Sequence, residues 1–219
     1  EIRVDLDLQG WEGIDIFAHK WYMNKTRIKK VGQDVIKLES IALSKLSKSL
    51  DKEFVKAVEL ISQQTGKMII SGVGKSGNIA GKVAASFTST GIPAIYLNPV
   101  DASHGDMGIL EKNDVLIILS NSGESHELSD LINFCKRKKI KIISITSTDK
   151  SLLSKNSDIN LILPNHSEAD KLKTIPTTST TMSLALGDAL CCSVLSIRKF
   201  DKKSFSELHP GGKIGKKLK

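Results

Sequence analysis

Residues 67–91, KMIISGVGKSGNIAGKVAASFTSTG, run from a short apolar stretch through a glycine-punctuated loop into a helix. A core opened this way commits the chain to strands that alternate with helices. Met68, Ile69 and Ile70 fit a buried strand, while Ile79, Val83, Ala84 and Phe87 recur at helical spacing. Gly72, Gly74 and Gly77 permit tight turning and close backbone approach, so the free N–H groups opening the helix can face an anion. Lys75 and Ser76 add a cation and a hydroxyl. The loop is a candidate phosphate cradle.

Two nucleotide motifs compete for residues 72–77, which satisfy G-x-G-x-x-G and contain G-K-S. A Walker loop needs its first glycine where Ile69 stands, inside the strand. A dinucleotide fold needs an acid at the end of the next strand, yet Ala94–Leu97 leads into Asn98-Pro99 and the nearest acid, Asp101, lies beyond the proline. An echo decides more. Val115–Leu119 is another apolar run, followed by Ser120-Asn121-Ser122-Gly123-Glu124-Ser125-His126-Glu127 and a helix with Leu128, Leu131, Ile132 and Cys135 on one side. Two such loops at the carboxyl ends of parallel strands converge on one crevice, and a second serine cradle suits a sugar phosphate.

The remaining chain fits the same plan. Residues 29–64 read as two packing helices, with Val31, Val35, Leu38, Ile41, Ala42 and Leu46 on one stripe and Phe54, Val55, Val58 and Ile61 on a second. Asp51 is placed to cap the second helix and Gly66 to end it. Residues 98–108 read as a loop with Asp101, His104 and Asp106. Beyond the second cradle, the basic run 136–141 closes a helix where the dipole favours lysine, followed by a strand at 142–145, a short helix at 151–157 and a strand at 159–163. A polar stretch with His166 and Glu168 leads to Pro176-Thr177-Thr178-Ser179-Thr180-Thr181, which opens an apolar helix, and Leu208-His209-Pro210-Gly211-Gly212 turns sharply. The alternation predicts an α/β fold: a doubly wound, five-stranded parallel sheet flanked by helices.

At 219 residues and 40% apolar content the chain can bury one substantial core. Its net charge of +8 is scattered lysine without interleaved aromatics, which argues against nucleic acid and still favours capture of small phosphorylated sugars. The longest apolar candidate, 182–197, contains Gly187, Asp188 and several serines, so no membrane partner is expected and a soluble protein is. Cys135, Cys191 and Cys192 lack metal-ligand spacing and read as buried free thiols of a reducing cytoplasm. Residues 1–22 carry five acids against Arg3 and Lys20, a local charge of −3, and no signal-peptide pattern. Met23 is read as the natural start and 1–22 as a non-native extension or tag.

The blocks GVGKSGNIAGKVAASFTSTGIPAIYLNPVDASHGDMG, SNSGESHEL, PTTSTTMSLALGDAL and HPGGKIGKKL, in that order, resemble the sugar isomerase (SIS) domain of arabinose 5-phosphate isomerases over residues 31–219. The resemblance implies packing helices at 23–66 and a SIS core at 67–219. It implies interconversion of ribulose 5-phosphate and arabinose 5-phosphate through an enediol, supplying the Kdo sugar of lipopolysaccharide, with no cofactor and no metal. It also implies a cytoplasmic homotetramer whose sites borrow residues from neighbours. Lys75, Glu127, Glu168 and His209 match catalytic positions of the family, and Gly74, Ser76, Gly91, Ile92, Asn98, His104, Ser120, Ser122, Ser125 and Thr178 match substrate-binding positions.

Read from the residues alone, each serine is as consistent with helix capping as with an anchor, and the dipole favours both Glu124 and Glu127 at a helix start. Lys75 can pair with phosphate or stabilise an oxyanion, and His209 can brace a turn or transfer a proton. Two departures from the family stand out: Asn98 replaces a histidine that with the His104 equivalent can bind inhibitory zinc, and Asp170-Lys171 replaces Cys-Pro. Many relatives continue into two CBS domains, whereas this sequence stops at Lys219, which reads either as a single-domain form or as a truncated one. A SIS isomerase of another phosphosugar, such as sedoheptulose 7-phosphate, and a phosphosugar-binding regulatory module are the rival readings.

Overall fold

The computed structural model describes residues 25–198 and 200–211; the expectations for residues 1–22 and Met23 lie outside them. Helices α1 (Lys25–Ser49) and α2 (Lys52–Gln63) precede β1 (Met68–Gly72), α3 (Gly74–Ser89), β2 (Ala94–Leu97), α4 (Pro99–Ser103), β3 (Val115–Leu119) and α5 (Ser129–Lys138). Then come β4 (Lys141–Thr146), α6 (Leu152–Lys155), β5 (Ile159–Ile162), α7 (Thr178–Arg198) and α8 (Lys202–Leu208). All strand pairs are parallel, in the order β2-β1-β3-β4-β5, as the alternation predicts. The order reverses between β1 and β3, where doubly wound sheets open a crevice at their carboxyl edge.

Every residue of β1 and β3 is buried, which is why these strands read as continuous apolar runs instead of alternating ones. On one face Met68, Ile70, Ile117, Ile143 and Leu161 pack with residues of α1, α2, α3 and α7. On the other, Ile69, Leu116, Ile118 and Ile142 pack with residues of α4, α5 and α6. Each fully buried leucine or isoleucine contributes roughly 1.5–3 kcal/mol relative to exposure. Helix α7 is long and apolar enough to cross a membrane by length and composition, with a mean hydropathy of 1.5 over its most apolar window. It instead lies in this core, burying Met182, Leu186, Leu190 and Val194 at four-residue steps.

Several local expectations are corrected. Only part of the first stripe is inside: Ala42 and Leu46 are buried, whereas Val31 and Ile41 are each 49% exposed, and Val55 on α2 is exposed too. Helix α2 ends at Gln63 with an extended Gln64, so Gly66 does not terminate it. Gly66 serves a close approach, donating its N–H to Asn113 O at 3.2 Å where a Cβ would overlap that carbonyl. The stretch 98–108 is not a plain loop but holds α4 and part of the 3-10 turn Asp106–Ile109. Cys192 is exposed, while Cys135 and Cys191 are buried; burial, with Asp114 nearby, pushes the Cys135 thiol up to about 12.

Candidate active site

Strands β1 and β3 end side by side, with Gly72 in register with Leu119, so the two loops leave the sheet from adjacent positions at its reversal. Gly74 turns the chain at φ +58° and opens α3. Among the described residues no side chain caps α3, so the N–H groups of its first turn have no side-chain acceptor there. The 3-10 turn His126–Leu128 and α5, which follow β3, are likewise uncapped. Elsewhere Asp51, Asn98, Ser151 and Asp201 cap α2, α4, α6 and α8 through their side chains. Capping therefore does not account for the serines beside the crevice, while a dipole end with free donors suits an anion.

The serine loop is folded on itself. Ser120 Oγ accepts from Gly123 N–H at 3.1 Å and lies 3.2 Å from Ser125 Oγ, and Ser122 Oγ accepts from Glu124 N–H at 3.3 Å. A hydroxyl that accepts keeps its own proton, so Ser122 and one of the Ser120–Ser125 pair retain a donor for an external oxygen. Lys75 is exposed on the first turn of α3 and makes no ion pair among the described residues. Ser76 is half-buried beside it. Glu127 is exposed on the 3-10 turn, whereas Glu124 accepts from Leu152 N–H at 3.0 Å. From β2, Asn98 Oδ1 accepts from Val100 N–H at 3.0 Å to start α4, and exposed His104 ends it. Helix α4 packs against α5 and the His126–Leu128 turn.

Glu168 comes to this edge after β5. Its Oε2 accepts from Thr177 N–H at 2.9 Å, Thr177 Oγ1 at 3.1 Å and Ser179 N–H at 3.3 Å, so the carboxylate caps α7. Partial burial pushes its pKa up, and hydrogen bonds from Ser179 and Thr177 outweigh that and leave it below the ordinary value. Asp170, at the departure from the family pattern, shapes the adjoining loop by accepting from the N–H groups of Leu172, Thr174 and Ile175, each at 2.8 Å. Thr178 is fully buried, and its hydroxyl has no partner among the described residues.

Three expected site residues lie at the opposite edge. Gly91 follows the far end of α3, roughly 24 Å of helix from Gly74. A Cβ on Gly91 would stand 3.6 Å from Leu208, the residue before His209, and 3.5 Å from Phe200. Ile92 next to it is buried. His209 Nδ1 lies 2.8 Å from Phe205 O, and its ring stacks on Phe205 at 3.9 Å between centroids. In the neutral ring that contact places the proton on Nδ1 and leaves Nε2 as the basic nitrogen, with no partner among the described residues. Within one chain, His209, Gly91 and Ile92 do not meet Lys75 and the serine loop.

A family model described as the SIS domain matches residues 60–193. The chain belongs to the SIS-domain family. An arabinose 5-phosphate isomerase KdsD of Francisella tularensis is 46% identical over 188 residues, covering 84% of this chain and 58% of that protein. One of Yersinia pestis is 42% identical over 190 residues, covering 87% and 58%. The chain thus spans 58% of the length of these curated relatives. A protein of E. coli CFT073, solved in complex with arabinose 5-phosphate, matches at a TM-score of 0.83 and 35% identity over 86% of this chain and all of that one.

Two residues near the carboxyl edge of this SIS domain's sheet escape a reading of the sequence. Tyr96 on β2 donates its hydroxyl to Gly72 O at 3.1 Å, and burial together with the Asp101 charge raises its pKa, so it stays a donor. Thr177, hidden in a run of hydroxyl residues, accepts from Ala169 N–H at 2.9 Å while it donates to Glu168. The partner of Tyr96 is distant in sequence, and nothing sets Thr177 apart from its neighbours before the chain is folded.

Proposed function

We propose that this SIS domain is an aldose–ketose isomerase interconverting D-ribulose 5-phosphate and D-arabinose 5-phosphate. The observation that carries the reading is the pair of uncapped helix starts beside the sheet reversal, with Lys75 and the serine hydroxyls around them. The relatives named arabinose 5-phosphate isomerase supply the substrate class. In this reading the N–H groups of Gly74, Lys75 and Ser76, with Ser120, Ser122 and Ser125, anchor the phosphate. Asn98 and His104 stand beside the sugar.

The chemistry needs a base at C1, an acid for O2 and a cation for the developing enediolate. A carboxylate removes a C1 proton of the ketose, the C2 oxygen is protonated to give the enediol, and a proton returned to C2 while O1 loses its own completes the aldose. Glu168, held ionised by its hydrogen bonds, and Glu127 are the carboxylates; Lys75 stabilises the enediolate. No redox cofactor enters this scheme. His209, through Nε2, serves proton transfer or ring opening.

Because His209 and Gly91 lie at the opposite edge from the serine loop, they act in the site of a second copy. The working form is accordingly a homo-oligomer, a tetramer by family resemblance, in the cytoplasm on the route to Kdo and lipopolysaccharide. Proton NMR of the protein with ribulose 5-phosphate tests the activity. The anomeric signals of arabinose 5-phosphate should appear and be lost in Glu168→Gln. A folded protein that binds the sugar without turnover would instead be a sensor or an isomerase of another phosphosugar, and full activity in a sedimenting monomer would refute the shared site.

A further inference from the structure

The serine loop is braced from outside itself. Asn121 O accepts from the Ser147 N–H at 2.9 Å and the Ser147 hydroxyl at 2.7 Å. Gly123 O accepts from Leu153 N–H at 3.0 Å, and Glu124 Oε1 from Leu152 N–H at 3.0 Å. All four donors belong to residues 147–153, the turn that carries the start of α6. That turn is locked in its own right: Ser154 Oγ donates to Thr148 O at 2.6 Å, Thr146 Oγ1 donates to the same oxygen at 2.6 Å, and Ser151 Oγ donates to Ser154 Oγ at 3.0 Å. Thr146, Ser151 and Ser154 are buried, so this is a rigid abutment. Gly123, at φ +68°, lies against the Ser151 side chain where a Cβ would collide with it.

We infer that Glu124 is a positioning residue for phosphate binding: its carboxylate pins the serine loop to the start of α6 and so sets where Ser122 and Ser125 present their hydroxyls. Among the described residues, it is the one side chain of this loop that bonds to the brace; the other links end on the loop's backbone carbonyls. Its own N–H donates to Ser122 Oγ, and Ser125 is the next residue, so a shift of Glu124 moves both. Glu127 has a different part, exposed on the following turn. The inference rests on the cradle reading given above.

The test compares the full chain with Glu124→Ala and Glu124→Gln in three measurements: inorganic phosphate affinity by titration, KM and kcat on ribulose 5-phosphate, and hydrogen exchange of the Leu152 amide. Alanine should weaken phosphate binding and raise KM about tenfold, the worth of one charge-assisted hydrogen bond, while kcat changes little. Leu152 exchange should quicken. Glutamine keeps an acceptor oxygen and should restore phosphate affinity to within about threefold. Faster Leu152 exchange with unchanged phosphate affinity overturns the inference alone, as does a kcat loss shared by both variants at constant KM, which would place Glu124 in the chemistry. A wild-type chain that binds neither phosphate nor the sugar phosphate overturns the cradle reading and this inference together.

Discussion

Glu168 Oε2 holds Thr177 twice, by its N–H at 2.9 Å and by its hydroxyl at 3.1 Å, and through that pair the carboxylate fixes the start of α7. One side chain is thereby both a candidate acid–base group and a helix cap. Glu168→Ala should destabilise the fold by about 1–2 kcal/mol, the range for a lost N-cap, in addition to abolishing turnover. Urea unfolding measures the first and the NMR assay the second. An inactive variant of unchanged stability would show that the cap is dispensable.

The same residue predicts a pH dependence. Its folded pKa lies below the ordinary value of 4.5, so its contribution to stability is complete above about 4.5 and is lost as the pH falls through the lower folded value. The difference in urea midpoint between wild type and Glu168→Gln should stay constant from neutral pH down to about 5 and shrink below that. A difference that grows in acid would reverse the assignment.

Lys75 gives the opposite signature. Its side chain is exposed and has no ion pair among the described residues, so Lys75→Ala should change stability by no more than about 0.5 kcal/mol. Turnover should fall about 100-fold or more as the enediolate loses its cation. Retained turnover would remove Lys75 from the reaction.

If His209 serves a neighbour's crevice, two dead variants can repair each other. Lys75→Ala and His209→Ala, each inactive alone, should regain turnover when unfolded and refolded as a mixture, because some sites then pair an intact Lys75 with an intact His209. Absence of recovery in mixed oligomers would place both residues in one chain's site.

The glycines of α3 separate packing from propensity. A Cβ on Gly77 would stand 2.7 Å from Gly72 O and from Tyr96 Oη, so Gly77→Ala should cost about 1–3 kcal/mol. At Gly81, in the same helix, a Cβ would meet Tyr96 Cγ at 4.0 Å, so Gly81→Ala should stabilise by about 0.5–1 kcal/mol. Thermal unfolding of the pair checks both signs.

The sheet and its two cradles are legible because continuous apolar runs, glycines and serines at their ends, and helical spacing all report local geometry. Val115–Leu119 needs no partner to be recognised as a buried strand. What depends on distant partners is not legible. Val31 and Ile41 fit an apolar stripe on α1, but how much of that helix meets the core is settled by where α7 lies. Helix α8 escapes notice, since its seven residues carry little apolar periodicity. Glu168 is a loop acid until the fold sets it against Thr177 and Ser179, and the distance between His209 and Lys75 exists only once α3 has spanned the sheet.

Helix α7 also governs when the molecule can exist. Strands β4 and β5 are complete by Ile162, but Ile143, Ile145, Ile159 and Leu161 share a core cluster with Met182, Leu186 and Leu190 of α7. During synthesis α2 and α3 can already cover part of that face, but the part that Met182, Leu186 and Leu190 fill stays open until α7 has left the ribosome, and α1 waits for the same partner. The cluster on the other face needs nothing beyond Leu153, so it is the α7 side of the core that closes last. Apolar surface on that side is therefore exposed for the interval in which residues 163–198 are made, which is when the nascent chain is most open to wrong contacts.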